Sequence, residues 1–202
     1  ALGGASLSGG FNVAIGTSAL DANTSGTTNI AIGVNALGEN TTASSNTAIG
    51  YDALRANTTA SANVAVGYAA LDACTTSPYN VAVGMNSLGA LTTGDSVGEN
   101  TAVGHNALAS NTTGYRNTAN GAYSLDSNTT AHNNTAFGWG TLGLNTTGTN
   151  NVAIGTNALA SNTTASSNIA IGLNAGDAIT TSPANTLLGH NAGSAISTGN
   201  GE

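Results

Sequence analysis

Eleven glycines set the frame of this chain. Gly16, Gly33, Gly50, Gly67, Gly84, Gly104, Gly121, Gly138, Gly155, Gly172 and Gly189 follow one another at 17 residues, except for a single step of 20. Four residues before each stands an asparagine, from Asn12 and Asn29 through Asn46, Asn63 and Asn117 to Asn185. A fixed period of this length means one small unit stacked on copies of itself, since so short a unit cannot bury its apolar face alone.

Each unit opens on N-[VIT]-A-[IV]-G, as in Asn46-Thr47-Ala48-Ile49-Gly50. β-Branched residues at alternate positions favour a strand. The glycine closes it, where the backbone must take φ > 0 or approach a neighbour closely. The residue before the glycine is large and apolar in ten units of eleven, with Asn120 the exception. The one before that is Ala in ten, with Leu187 the exception. Neighbouring strand residues face opposite sides, so one side carries bulky apolar groups and the other admits only something small. Both are expected to be buried. Turn chemistry follows (Asn35, Asp52, Asn106), then a short apolar element, usually Ala-Leu, and then Asn-Thr-Thr.

Twice 17 is the length of a helical-hairpin repeat, but Gly, Asn and Thr are poor helix formers and no i, i+4 charge pairs help. The expected fold is all-β: a parallel β-solenoid, or β-roll, of eleven 17-residue coils. Residues 1–11 form a degenerate partial coil, 12–201 the continuous array, and a three-residue loop insertion falls near 94–99. Strands roughly 4.8 Å apart give a rod of roughly 50 Å. Like residues then pile into ladders, Asn46 under Asn63, Gly50 under Gly67, Asn117 and Gly121 further along. Each ladder amide is expected to donate to one copy and accept from the next.

A second asparagine column runs Asn23, Asn40, Asn57, Cys74, Leu91, Asn111, Asn128, Asn145, Asn162, Ile179 and Ile196. A slot that accepts Cys, Leu and Ile faces inward. Gly176 and Gly193 vacate the Leu position in the two units where Ile179 and Ile196 enter the Asn position, so volume lost at one place returns three residues later. One thin coil cannot easily cover two apolar ladders, and a homo-oligomer along the fibre axis is the expected cover.

Charged residues are only 5%, against roughly 25% in typical soluble domains. The register of Ile, Val and Leu nonetheless separates the chain from disordered polar sequences. A net charge of −7, with Arg55 and Arg116 the only fixed cations, argues against a nucleic-acid partner. No apolar run approaches the ~18 residues that span a bilayer, so no membrane insertion is expected of this segment. Cys74 alone makes neither an internal disulfide nor a cysteine-rich zinc site, and reads as a small buried thiol. No cofactor is expected. Ala1 falls within a degenerate earlier unit and Glu202 where the next Asn is due, so the chain is read as a segment of a longer array.

Runs such as NTAIGYDALRANTTASAN and NTANGAYSLDSNTT resemble the repeats of phage tail-fibre proteins and of bacterial proteins with tail-fibre domains. The N-[VIT]-A-[IV]-G core is similar to the heads of YadA-type trimeric autotransporter adhesins, whose units are shorter. The resemblance covers residues 12–201. It implies a homotrimer of parallel β-solenoids, left-handed as in the adhesin heads, forming an extracellular fibre on a virion tail or a cell surface.

The residue after the repeat glycine is the most variable column. Its Tyr51, Tyr68 and Trp139 are candidate contacts to a host-surface glycan or protein receptor; the alternative is that they pack on neighbouring coils or chains. The insertion around Asp95, Ser96, Val97, Gly98 and Glu99 is expected as a loop, with two carboxylates where calcium needs six to eight oxygens. His105, His132 and His190 lie far apart, so no metal site is expected. Asp21, Asp72, Asp126 and Asp177 share one column and read as solubilising surface acids, not as a catalytic pair. Asn23, Asn40, Asn57, Asn111, Asn128, Asn145, Asn162 and Asn133 match the glycosylation signal, although the inward assignment makes all but Asn133 structural. The expected function is an adhesive structural fibre, not an enzyme. An ice-binding solenoid is the alternative and an enzymatic tail spike the third reading.

Overall fold

A computed structural model describes residues 9–92 and 98–197. The expected all-β solenoid is what it shows. Eleven strands of three residues each, β1 Val13–Ile15, β2 Ile30–Ile32, β3 Thr47–Ile49, β4 Val64–Val66, β5 Val81–Val83, β6 Thr101–Val103, β7 Thr118–Asn120, β8 Thr135–Phe137, β9 Val152–Ile154, β10 Ile169–Ile171 and β11 Thr186–Leu188, form one parallel sheet in sequence order. Ten turns of the solenoid separate them. The register never slips: Val13 pairs with Ile30, Ala14 with Ala31 and Ile15 with Ile32, and so on up the stack. Across the 20-residue step Val81 still pairs with Thr101 and Ala82 with Ala102. The three extra residues therefore leave the ladder intact. Of the segment singled out for that insertion, Asp95, Ser96 and Val97 lie outside the described residues.

The glycine column shows why no other residue stands there. Gly50, Gly67 and Gly121 all hold φ at 140°, where side chains are strained. A Cβ built on Gly121 would lie 2.3 Å from the carbonyl oxygen of Gly138 in the next coil.

Three more residues per coil turn through the left-handed region, and most are not glycine. In the coil of Gly50 they are Asp52 (φ 54°), Leu54 (φ 51°) and Ala62 (φ 61°). Asp and Asn tolerate this conformation, but a bulky Leu there is an outlier. Leu54 accepts it because the turn drives its side chain into the centre of the coil, where it is fully buried. Its N–H bonds to the carbonyl of Ala70 at 2.9 Å in the coil beyond. The apolar element after the strand is thus a chain of turns, and hydrogen bonds stack it coil on coil as they stack the sheet.

The return segment points inward at every third residue. Asn40, Ala43 and Asn46 are buried, while Thr42 and Ser45 between them are exposed. The interior is a stack of small layers, most with the strand Ala, an Ala-Leu pair, another Ala or Gly and two Asn.

The sheet is buried on one side only, not on both as expected. The Ala side of each strand is buried, but within the chain the bulky side is not. Ile15 is 59% exposed, Phe137 41% and Leu188 77%.

Candidate functional site

The two asparagine columns hold the coils together by different means. In the strand-preceding column the side-chain oxygen accepts the backbone N–H of the next copy. Asn29 Oδ1 takes it from Asn46 at 3.0 Å, Asn46 Oδ1 from Asn63 at 2.9 Å and Asn100 Oδ1 from Asn117 at 3.1 Å. The amide nitrogen donates to a backbone carbonyl 14 residues on, as Asn46 does to Ala60 at 3.0 Å. Side chain to side chain stacking, the expected pattern, is secondary in this column. It dominates the second one, where Asn40 Nδ2 reaches Asn23 Oδ1 at 2.9 Å and Asn57 Nδ2 reaches Asn40 Oδ1 at 2.9 Å. The columns converge: the carbonyl of Ala60 receives Asn46 Nδ2 at 3.0 Å and Asn57 Nδ2 at 3.0 Å, and that of Gly114 receives Asn100 and Asn111. A shared carbonyl uses both its lone pairs.

Cys74 keeps the local bond of the column it interrupts. Its thiol donates to the carbonyl of Ser77 at 3.4 Å, as Asn57 does to that of Ala60, and burial pushes its pKa up to about 11. Where the column ends against Ile179, Asn162 Oδ1 is left buried without a partner. The seven signal asparagines of this column are fully buried, whereas Asn133 is exposed.

Among the described residues, the outer face of the sheet is an extended surface with a distinct chemistry. It carries three columns: the first strand residue, the last strand residue and the residue after the glycine. None of the nine Asp and Glu or the two Arg falls in any of them. Val13, Ile30 and Ile169 in the first column, Ile15, Ile49, Ile154 and Ile171 in the middle one, and Val34, Met85 and Leu173 in the third are all exposed. Asn120 is the single polar residue of the middle column.

Tyr51 (47%), Tyr68 (57%) and Trp139 (54%) are exposed along the third column, but the structure brings only the two tyrosines together. Tyr51 and Tyr68 stack with centroids 5.4 Å apart and planes 8° from parallel, so each offers the other a face and turns its edge outward. Trp139 lies four coils beyond Tyr68 and meets Tyr123 edge-on at 6.2 Å, while Tyr123 meets His105 at 5.0 Å. A second aromatic pair sits beside the start of the strand: Tyr115 and His132 stack at 4.7 Å, with Arg116 5.7 Å from the Tyr115 ring. Sequence reading passed over this pair, although the 17-residue separation of Tyr115 and His132 was its signal.

Among the described residues the charges lie off the sheet face, and both arginines are paired. Arg55 meets Glu39 at 3.1 Å and Asp52 at 4.0 Å, and Arg116 meets Glu99 at 2.9 Å. The acidic column is less superficial than expected. Asp21 is exposed, but Asp72, Asp126 and Asp177 are half-buried, and burial raises the pKa of Asp72 and Asp126. Among the described residues, no group of three or more His, Cys, Asp or Glu is placed to hold a metal ion. The first Thr of each Asn-Thr-Thr spends its hydroxyl inside the stack, as Thr41 Oγ1 does on the carbonyl of Thr58 at 3.1 Å. That leaves the second Thr as the outward row.

The chain is a β-solenoid repeat protein by its fold, and no protein-family model, curated protein or solved structure matches it.

Proposed function

We propose that the chain is a segment of an extracellular homotrimeric fibre, of the kind that phage tails and microbial surfaces project, and that it serves as a rigid shaft or head for host attachment. The observation that carries this reading is the largely apolar face, free of Asp, Glu and Arg, that follows the sheet along its length. Eleven strands at ~4.8 Å and three alternating positions make it roughly 50 Å by ~13 Å, or about 650 Å² per chain, close to half of a standard-size interface. A contiguous apolar patch of that size marks a contact surface.

A second copy of the chain is the occupant the face fits. Its ridges recur with every coil, and another copy meets them in step over the full length. A partner without that axial period would lose step within a few coils. The three-fold arrangement rests on the resemblance of the repeat to trimeric fibres. Adhesion belongs to what the shaft carries: exposed aromatics repeated along a trimer would gain affinity through multivalency. Native mass spectrometry and light scattering test the assembly. The expected mass is three times 19.4 kDa, and a species of 19.4 kDa at micromolar concentration would defeat the reading.

A further inference from the structure

A periodic face creates a difficulty for any assembly built on it. Moving one copy by a single coil, roughly 4.8 Å, returns nearly the same ridges to nearly the same grooves. The first column holds only Val, Ile and Thr, with little to tell one level from the next, so burial of that column does not choose an axial register.

The middle column holds a single polar residue that does. Asn120 ends β7 on the outer face, paired with Val103 on one side and Phe137 on the other. It is exposed, and among the described residues none bonds to its side-chain amide. Every other occupant of that column is apolar. Most amides of the inward columns are bonded within the chain, the oxygen of Asn162 and the amide nitrogen of Asn168 excepted, whereas that of Asn120 stands on the outer face.

We infer that Asn120 is the register key of the assembled fibre: copies at equal height bring their Asn120 amides together, each donating Nδ2–H to the Oδ1 of its neighbour. The amide has both functions, so a cyclic set closes with each amide giving one N–H and accepting one. A slip of one coil sets each amide against Val103 or Phe137 of the neighbour. It is then buried without a partner, the more costly alternative. A lone polar residue in an apolar seam fixes register in coiled coils by the same logic. The inference rests on the fibre reading above.

Cross-linking reads the register directly. Chains carrying Ile32→Cys and chains carrying Ile49→Cys, both middle-column positions one coil apart, are refolded together, oxidised and analysed by peptide mass spectrometry. Disulfides form only where Cα atoms approach within about 7 Å. With Asn120 present, like positions are expected to join, 32 to 32 and 49 to 49. In the Asn120→Val background the oligomer is expected to persist while 32-to-49 links rise about tenfold. Moving the key by one coil, with Val103→Asn added to Asn120→Val, is expected to restore like-to-like links. Unchanged like-to-like linkage in Asn120→Val overturns the register key and leaves the assembly standing. Abundant mixed links with Asn120 in place also overturn it. A monomeric mass with no intermolecular disulfide removes the fibre reading itself.

Discussion

Asn46 holds its side-chain oxygen 2.9 Å from the backbone N–H of Asn63, the residue one coil on in the same column. That bond turns a side chain into part of the main-chain ladder, and it explains why the column has no other occupant. The second column spends its oxygens mainly on neighbouring side chains, and its carbonyl targets have a second donor. Asn117→Leu is therefore expected to cost about 3 kcal/mol or more, because the N–H of Asn134, now bonded at 3.0 Å, is orphaned in the interior. Asn111→Leu is expected to cost under about 1.5 kcal/mol, since Asn128 keeps its bond to Ala131 and Gly114 keeps that from Asn100. Urea midpoints of the two variants decide it; equal losses would show the columns to be equivalent.

The glycine column admits a similar contrast within one substitution type. Gly121→Ala brings a Cβ to 2.3 Å from the Gly138 carbonyl at a φ of 140°. Its nearest neighbours are all backbone atoms of Gly138, which have nothing to yield, and a loss above about 3 kcal/mol is expected. At Gly189, in the last described coil, φ is 124° but nothing lies within 4 Å of the new Cβ. Gly189→Ala is expected to cost only the conformational strain, about 1–2 kcal/mol. Thermal midpoints measured side by side would reverse the packing argument if Gly189→Ala were the worse of the two.

Period, strand and inward columns were legible because they repeat. Cys74, Leu91 and Ile179 in an asparagine slot give its burial away, and Asn-x-Ala-x-Gly alternation gives the strand. The left-handed turn at Leu54 was not legible, since Leu carries no signal for φ > 0. Its only trace was Gly176 and Gly193 in the same column, which volume exchange with Ile179 and Ile196 accounted for without it. The distinct work of the two Asn columns was hidden for a related reason: the same amide serves a backbone partner in one and a side-chain partner in the other. The aromatic candidates were legible as exposed residues, but their stacking depends on ring orientation within the coil, which composition does not encode.

Leu187 belongs to that volume exchange and was seen only as an exception to the Ala column. A Cβ on Gly176 would fall 2.8 Å from Leu187 Cδ1, and one on Gly193 2.7 Å from the same atom. Leu187 therefore fills the space that two missing leucines leave. Leu187→Ala is expected to cost about 2 kcal/mol, at the lower end for a buried leucine because the site is half-buried. Gly193→Leu alone overpacks. The double variant is expected to recover 1–2 kcal/mol relative to the sum of the single changes, and simple additivity in urea denaturation would rule the exchange out.

Acid should stabilise this protein, against the usual trend. Burial raises the pKa of Asp126, opposed only by hydrogen bonds to Ser127 and to its own backbone, and that of Asp72, where Arg55 partly offsets it. A folded-state pKa above the unfolded value of about 3.8 means that the native chain holds more protons than the unfolded one within that window. Stability from these groups is complete below the unfolded value and is lost as pH rises through the folded one. Acidification also relieves the self-repulsion of a chain at −7. The melting temperature is thus expected to be higher near pH 4 than at pH 7. Asp126→Asn removes the desolvated charge, so it should raise the midpoint at pH 7 by the equivalent of less than about 1 kcal/mol, since the site is half open to solvent. The difference should vanish at pH 3, where the wild-type carboxyl is protonated in both states. A variant less stable than wild type at pH 7, and equal to it at pH 3, would mean that the Asp126 carboxylate is held by favourable partners and not penalised by burial.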